Sequence, residues 1–237
     1  LLLNGDNDLL RNLEEIPVQP VTYFGSDAGC AVRASEVKQT EVLSFRVDTE
    51  TASFPVELAL EGEHFVSDAL AAVAVGLQFG ITPEQIQESL SIFQNMAGRQ
   101  EIFQAEGYTI IKDCYNAGPE SMAAALNVLQ RREGRKIAVL GDMLELGSET
   151  MAEHFKLGRI VAEKADLLFA YGPHASRVAD GAKVGGMDDT TAKAFDSHDI
   201  LAASLKVSAK PGDVILFKGS RGMHMEISLE KFLTKEK

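Results

Sequence analysis

Residues whose side chains could do chemistry are concentrated in three short segments, at residues 112–122, 141–147 and 218–222. Each segment directly follows a run of apolar residues typical of a buried strand. Because the carboxyl ends of parallel strands meet at one edge of a sheet, we expect the three segments to face a common crevice. Loops and helix N-termini at such an edge offer backbone N–H groups to a ligand. The sequence therefore predicts a ligand site built from residues far apart in the chain.

The first segment carries Asp113 and Asn116 ahead of Pro119. An aspartate at a strand end can accept two hydroxyl hydrogen bonds, which is how carboxylates commonly bind a ribose. A helix cap is the other interpretation, since Asn, Gly and Pro before a helix are the residues that capping uses. This segment by itself leaves both open.

In the third segment Lys218 and Arg221 flank Gly219 and Ser220, in a protein that is otherwise acidic. Two cations beside backbone donors favour binding of a phosphate or a carboxylate of a substrate. We expect both cations to be exposed and to contribute little to folding stability. A solvated turn is the alternative.

The other candidates give weaker signals. Gly141 and Asp142 could line the crevice or simply end a strand. The five histidines lack the spacing of a two-ligand motif, so no metal site is predicted. Cys114 has no His partner near it in sequence and is predicted to be a small packed residue. The phosphate-binding loop G-x-x-x-x-G-K-[ST] does not occur.

Composition limits the partners. The 237 residues are 45% hydrophobic and 24% charged, which is ordinary for a globular protein. A net charge of −12 argues against a general nucleic-acid or anionic-membrane binder. Two cysteines favour a reducing compartment, and no apolar run approaches the roughly 20 residues of a membrane span, so we predict a cytoplasmic protein. The chain starts within a strand-like pattern without Met, as if cut from a longer protein.

Hydrophobic periodicity divides the chain near residue 96. Short strands are predicted at residues 1–3, 21–24, 31–37, 42–47 and 54–60, followed by two helices, the second capped by Thr82. Beyond the division, strands at 109–111, 137–140, 167–171 and 214–217 alternate with helices. A helix behind Ser197 as N-cap and a last helix at 225–233 complete the pattern. This alternation predicts an α/β fold with a mostly parallel sheet.

Several motifs together resemble the Mur ligase family. They are Gly62-Glu63-His64 with Asp68, Gly98-Arg99, residues 113–122, residues 139–147 with His154 and Gly158, and residues 218–223 with Glu226. By this resemblance residues 1–96 are the later half of a central ATPase domain, and residues 97–237 are a Rossmann-like C-terminal domain. The phosphate loop and most magnesium ligands of the family would lie upstream of Leu1.

The resemblance also implies an activity. It implies ligation of D-alanyl-D-alanine to UDP-N-acetylmuramoyl-tripeptide with ATP and Mg²⁺, through an acyl phosphate, by an enzyme that is a monomer when complete. Arg99 and Lys218 are the implied catalytic residues. Residues implied to bind nucleotide are His64, Asp68, Arg99, Asp113, Tyr115 and Asn116. Residues implied to bind the peptide substrates are Asn116, Gly141, Asp142, Lys218, Ser220 and Arg221.

The sequence departs from the family pattern at three positions. Phe65 and Asp68 stand where Asn is usual, and Gly118 replaces a second Asn. By the resemblance residue 68 lies near the adenine of ATP, and a carboxylate cannot donate a hydrogen bond to adenine as an Asn amide can. Two further interpretations remain open: a non-catalytic binding module of the same fold, and another amide ligase such as a folylpolyglutamate-type enzyme.

Overall fold

The computed structural model describes residues 1–16, 18–40 and 42–234. The chain divides into two compact units, Leu1–Gln94 and Asn95–Lys237. Each unit has its own sheet and its own hydrophobic core. None of the helices in the described ranges is both long and apolar enough to cross a membrane.

The first unit is a five-stranded sheet with three helices, of which the second and third contribute to its hydrophobic core. Its elements are β1 (Leu2–Asn4), α1 (Asp8–Arg11), β2 (Thr22–Gly25), β3 (Val32–Gln39), β4 (Leu43–Asp48), β5 (Ser53–Leu58), α2 (Phe65–Gln78) and α3 (Pro83–Ser91). The strands lie in sequence order, with β1, β2 and β3 parallel and β4 and β5 antiparallel. In β4 and β5 buried residues alternate with more exposed ones, so one face of these strands supplies the core.

The predicted start of α3 is confirmed. The Thr82 hydroxyl accepts a hydrogen bond from Gln85 N, and the Gln85 side chain accepts one from Thr82 N. Pro83 follows as the first helical residue, where its missing N–H has no cost.

The second unit is a six-stranded sheet with helices on both faces. Its elements are β6 (Glu101–Ala105), β7 (Tyr108–Asp113), α4 (Pro119–Arg131), β8 (Lys136–Gly141), α5 (Thr150–Lys164), β9 (Leu167–Tyr171), α6 (Ala175–Val184), β10 (Ala192–Phe195), α7 (His198–Ser208), β11 (Val214–Lys218) and α8 (Met225–Leu233). The strand order is β10-β9-β8-β11-β7-β6, and every pair except β6 with β7 is parallel. The predicted mostly parallel sheet is confirmed.

The two faces of this sheet belong to different cores. One core joins the sheet to α4, α5 and α6, and the other joins it to α7 and α8. The central strand β11 is buried along its whole length, which explains its run of four apolar residues before Lys218. Helices α5 and α6 approach closely because Gly158 and Gly181 face each other; a Cβ on Gly158 would lie 2.0 Å from the carbonyl oxygen of Val178.

Three elements of this unit escaped the sequence analysis. Strand β6 is an edge strand without fully buried residues, and β10 has only four residues, so neither shows a clear period. Helix α6 is rich in Ala and Gly, which blurs its apolar face. The predicted N-cap of α7 is confirmed as Ser197, although its side chain makes no capping hydrogen bond.

Candidate functional site

The carboxyl ends of β7, β8 and β11 lie side by side in the second unit. In the strand register Lys218 is the neighbour of Asp113 on one side and of Leu140 on the other. The loops that follow these strands are the three segments singled out in the sequence. The parallel sheet therefore brings together residues that are separated by about a hundred positions in the chain.

The strongest contact at this edge joins Lys218 to Asp113. Lys218 Nζ donates to Asp113 Oδ2 at 2.6 Å and to the carbonyl oxygen of Asn116 at 2.9 Å. The side chains are 3% and 15% exposed, respectively. The expectation that Lys218 is an exposed loop cation is wrong, because it is the last residue of a buried strand. Its charge holds Asp113 and the following loop in place.

Arg221 behaves differently from Lys218. It lies in a short 3₁₀ turn, Arg221–Met223, and its side chain is 66% exposed. Its guanidinium donates to Glu226 Oε1 at 3.2 Å, in the first turn of α8. The structure therefore separates the two cations that the sequence grouped into one anion site.

Arg99 and Tyr115 lie beside Asp113. The Arg99 guanidinium carbon is 4.3 Å from the centroid of the Tyr115 ring, a cation–π contact between two exposed side chains. The backbone holds the two segments together, since Tyr115 N donates to the Gly98 carbonyl at 3.1 Å. Gln100 N also donates weakly to Asp113 Oδ1, at 3.4 Å.

The helix-cap interpretation of this segment is confirmed for Gly118 and Pro119, but it does not hold for Asn116. Its Oδ1 accepts a hydrogen bond from Ala117 N at 2.9 Å, whereas α4 begins two residues later with Gly118 at the N-cap. The Asn116 side chain is exposed at the carboxyl edge. It is therefore available to a ligand.

Gly141 and Asp142 are enclosed by protein. A Cβ on Gly141 would lie 2.7 Å from Met225 Sδ. Asp142 is 1% exposed, and its Oδ2 accepts from His174 N at 2.9 Å. Burial raises the pKa of the Asp142 carboxyl, and the hydrogen bond from His174 opposes this shift. Both residues are buried, so in this conformation neither is exposed to a ligand.

Ser220 ties the three loops together. Its backbone N–H donates to the Asp142 carbonyl at 3.1 Å, and its hydroxyl donates to the Ala117 carbonyl at 3.2 Å. The same hydroxyl accepts from Leu144 N at 2.9 Å. We call this set of bonds the Ser220 junction. Ser220 is 3% exposed, so its observed contacts are with the protein itself.

His154 is a residue of the site region whose role the sequence did not reveal. It is completely buried in α5, and its Nε2 accepts from Met143 N at 3.1 Å. Its Nδ1 lies 2.7 Å from the Thr150 carbonyl oxygen. A histidine 11 residues beyond a Gly-Asp-Met turn carries no local signal for such a contact.

Cys114 is confirmed as a packed residue. It is 2% exposed, and its thiol donates to the Phe217 carbonyl at 3.4 Å. Burial raises the pKa of the thiol to about 12. At neutral pH the thiol is therefore protonated and a poor nucleophile.

The two candidates of the first unit lie at the start of α2. His64 precedes the helix and stacks on Phe65, with ring centroids 4.2 Å apart, and Asp68 lies in the first turn. Both side chains are exposed. In the described ranges of the chain, no group of three His, Cys, Asp or Glu residues is placed to hold a metal ion.

The sequence matches the model of a known protein family. The model of the Mur ligase glutamate ligase domain matches residues 98–221, slightly more than half of the chain. The chain belongs to the Mur ligase family. The matched segment contains Arg99, the Asp113–Lys218 pair and the Ser220 junction.

Relatives with curated names are UDP-N-acetylmuramoyl-tripeptide–D-alanyl-D-alanine ligases. The Mur ligase of Bacillus subtilis is 36% identical over 231 residues, which is 95% of this chain and 49% of that protein. The Escherichia coli ligase is 34% identical over 232 residues, covering 95% and 50%. The chain thus spans about half the length of the curated relatives it matches.

Solved Mur ligase structures share the fold. A MurF structure from Acinetobacter baumannii superposes with a TM-score of 0.81 at 33% identity, covering 99% of this chain and 52% of that one. MurF from Thermotoga maritima in complex with ADP gives a TM-score of 0.80 at 25% identity, covering 98% and 52%.

Proposed function

We propose that this chain forms the nucleotide- and amine-side part of a ligase that joins D-alanyl-D-alanine to UDP-N-acetylmuramoyl-tripeptide. The observation that carries the proposal is the Asp113–Lys218 pair at the carboxyl edge, with Arg99 and Tyr115 beside it. Support comes from relatives bearing that name and matching more than nine tenths of this chain. A cytoplasmic location and a monomeric complete enzyme are parts of the same proposal.

In this proposal the second unit binds the ribose and phosphates of ATP. Asp113 keeps unused acceptor capacity beyond its bond from Lys218 and accepts hydroxyl hydrogen bonds from the ribose. Tyr115 offers a ring face, and Arg99 leaves that face to contact the γ-phosphate. When bound, ATP supplies the phosphoryl group that activates the tripeptide carboxylate as an acyl phosphate.

For the first unit by itself, the proposal is that His64 and Asp68 contact the adenine of a nucleotide. A carboxylate accepts hydrogen bonds and cannot donate them, so Asp68 would meet the exocyclic amino group of adenine, which is a donor. The described residues offer no cluster of ligands for Mg²⁺, and we assign none of them to the metal.

The candidate residues for binding the peptide substrates differ in their exposure to solvent. Asn116 and Arg221 are exposed and are proposed to contact the substrates directly. Gly141, Asp142 and Ser220 are buried and are proposed to act by shaping the loops. Lys218 acts on the site by holding Asp113 and the Asn116 carbonyl.

ADP binding to the 237-residue chain is the first test of this proposal. We expect binding by isothermal titration calorimetry and expect Tyr115→Ala to weaken it. The second test joins this chain behind the amino-terminal half of the Bacillus subtilis relative and measures product by mass spectrometry. We expect ATP-dependent ligation by the joined protein and none by the chain alone, which has no phosphate loop.

The Arg99→Ala variant of the joined protein tests the assigned role of the arginine. A cation on the γ-phosphate gains strength as charge shifts during transfer, so kcat should fall more than KM for ATP rises. Arg159→Ala, an exposed arginine on α5, is the matched control. ADP binding without ligation by the folded joined protein would favour a non-catalytic module, and absence of both would refute the proposal.

A further inference from the structure

The contacts of His154 determine which of its ring nitrogens carries a proton. A carbonyl oxygen only accepts hydrogen bonds, so Nδ1, at 2.7 Å from the Thr150 carbonyl, must donate. A backbone N–H only donates, so Nε2, at 3.1 Å from Met143 N, must accept. Both bonds can be made together only by the neutral imidazole with its proton on Nδ1. The geometry therefore assigns both the charge and the tautomer of this buried ring.

Asp142 provides a second partner for the same ring nitrogen. Its Oδ1 lies 3.7 Å from His154 Nε2 and is buried without a hydrogen-bond partner. If Nε2 gained a proton it could no longer accept from Met143 N, and Asp142 Oδ1 would be the nearby acceptor. His174, whose ring centroid is 5.0 Å from that of His154, is a second titratable group facing it. The ring thus has two alternative bonding patterns.

The loop that His154 holds is connected to the remainder of the edge. Met143 lies between Asp142 and Leu144, and both of these bond to Ser220 through their backbones. Ser220 in turn bonds to Ala117, next to Asn116. Covalent and hydrogen bonds therefore connect Met143 without a gap to the loops that carry the proposed ligand contacts. A displacement of the Met143 backbone would be transmitted along these bonds.

We propose that His154 is a positioning residue of the carboxyl edge, which holds the Met143 loop and the Ser220 junction in register only while its imidazole is neutral. Protonation exchanges the bond from Met143 for one to Asp142 and loosens the junction. The consequence for ligand binding rests on the proposed function, whereas the bond exchange itself does not.

The first experiment needs no substitution. Long-range ¹H–¹⁵N correlation spectra of the labelled 237-residue chain report the protonation of each histidine ring. At pH 7.5 we expect His154 to be neutral with its proton on Nδ1. As the pH is lowered, its protonation should coincide with a shift of the Met143 and Ser220 amide signals. A proton on Nε2 at pH 7.5, or protonation that leaves both amide signals unchanged, would overturn the proposal.

Hydrogen exchange separates positioning from general stability. His154→Leu removes the acceptor and leaves Met143 N unpaired, so its exchange should become about tenfold faster or more, while Val139 in β8 stays protected. Hydrogen exchange at the Ser220 amide should become faster together with exchange at the Met143 amide. His154→Gln, which restores an oxygen acceptor, should recover part of the protection. His198→Gln, which alters a histidine bonded to Ser228, is the control and should change neither amide.

If hydrogen exchange became faster by the same factor at all amides of His154→Leu, His154 would be a merely structural residue, and the proposal would be overturned. In a parallel titration with ADP we expect His154→Leu to bind several-fold more weakly than the wild type. A wild-type chain that does not bind ADP would contradict the proposed function, while the exchange data would still decide the role of His154.

Discussion

At the scale of single residues, environment separates side chains that look alike in the sequence. Lys218 and Arg221 are three positions apart, yet Lys218 is buried on Asp113 while Arg221 is exposed beside Glu226. Coulomb attraction and hydrogen bonding are strong where water is excluded and weak where it is not. The same pairing of opposite charges therefore supports the fold at one position and contributes little at the other.

Removal of the Lys218 ammonium should destabilise the protein. In Lys218→Met the Asp113 carboxylate stays mostly buried without its partner, and we expect a loss of about 3 kcal/mol in the free energy of unfolding. The measurement is urea denaturation followed by circular dichroism. Arg221→Ala, which removes the same charge, is the control, with an expected change below about 1 kcal/mol. Equal effects of the two variants would contradict the difference in burial.

At the scale of elements, the site depends on how strands and helices pack. The register of β11 between β7 and β8 places Lys218 beside Asp113, and α5 carries His154 beneath the loop that follows β8. Helix α5 is itself positioned by its close contact with α6. The absence of side chains at Gly158 and Gly181 thus contributes to the position of His154.

Gly158→Ala tests this contact between helices. The added Cβ would lie 2.0 Å from the Val178 carbonyl oxygen, so α5 and α6 must move apart. We expect a loss of about 3 kcal/mol, despite the better helix propensity of alanine. Thermal unfolding is the measurement, with Glu163→Ala on the exposed side of α5 as control. An unchanged or higher melting temperature for Gly158→Ala would show that the helices can separate at no cost.

At the scale of the whole molecule, the chain consists of two units with separate cores. The apolar cluster of Leu1–Gln94 shares no residue with the two clusters of Asn95–Lys237. The chain carries a net charge of −12. At the carboxyl edge the charges of Asp113 and Lys218 cancel, and Arg99 adds one positive charge. An anion bound there would be held by local groups, since the overall field repels it.

Residues 95–237 should fold without residues 1–94. Their two cores flank a complete six-stranded sheet, so the isolated segment should unfold cooperatively in urea. Its m value should be smaller than that of the whole chain, because less surface is exposed on unfolding. Dispersed amide signals in an NMR spectrum would give independent confirmation. A gradual transition with poor dispersion would mean that the second unit needs the first.

The sequence by itself predicted the mostly parallel sheet, the meeting of three loops at one edge and most of the alternation of strands and helices, although it missed β6, α6 and β10. These follow from local hydrophobic periodicity and from the geometry common to parallel sheets. Only the tertiary structure decided that Lys218 is buried on Asp113, that Arg221 is paired with Glu226, and that His154 accepts a hydrogen bond from Met143. Such pairings depend on strand register and helix packing between distant segments, and local periodicity does not encode these long-range contacts.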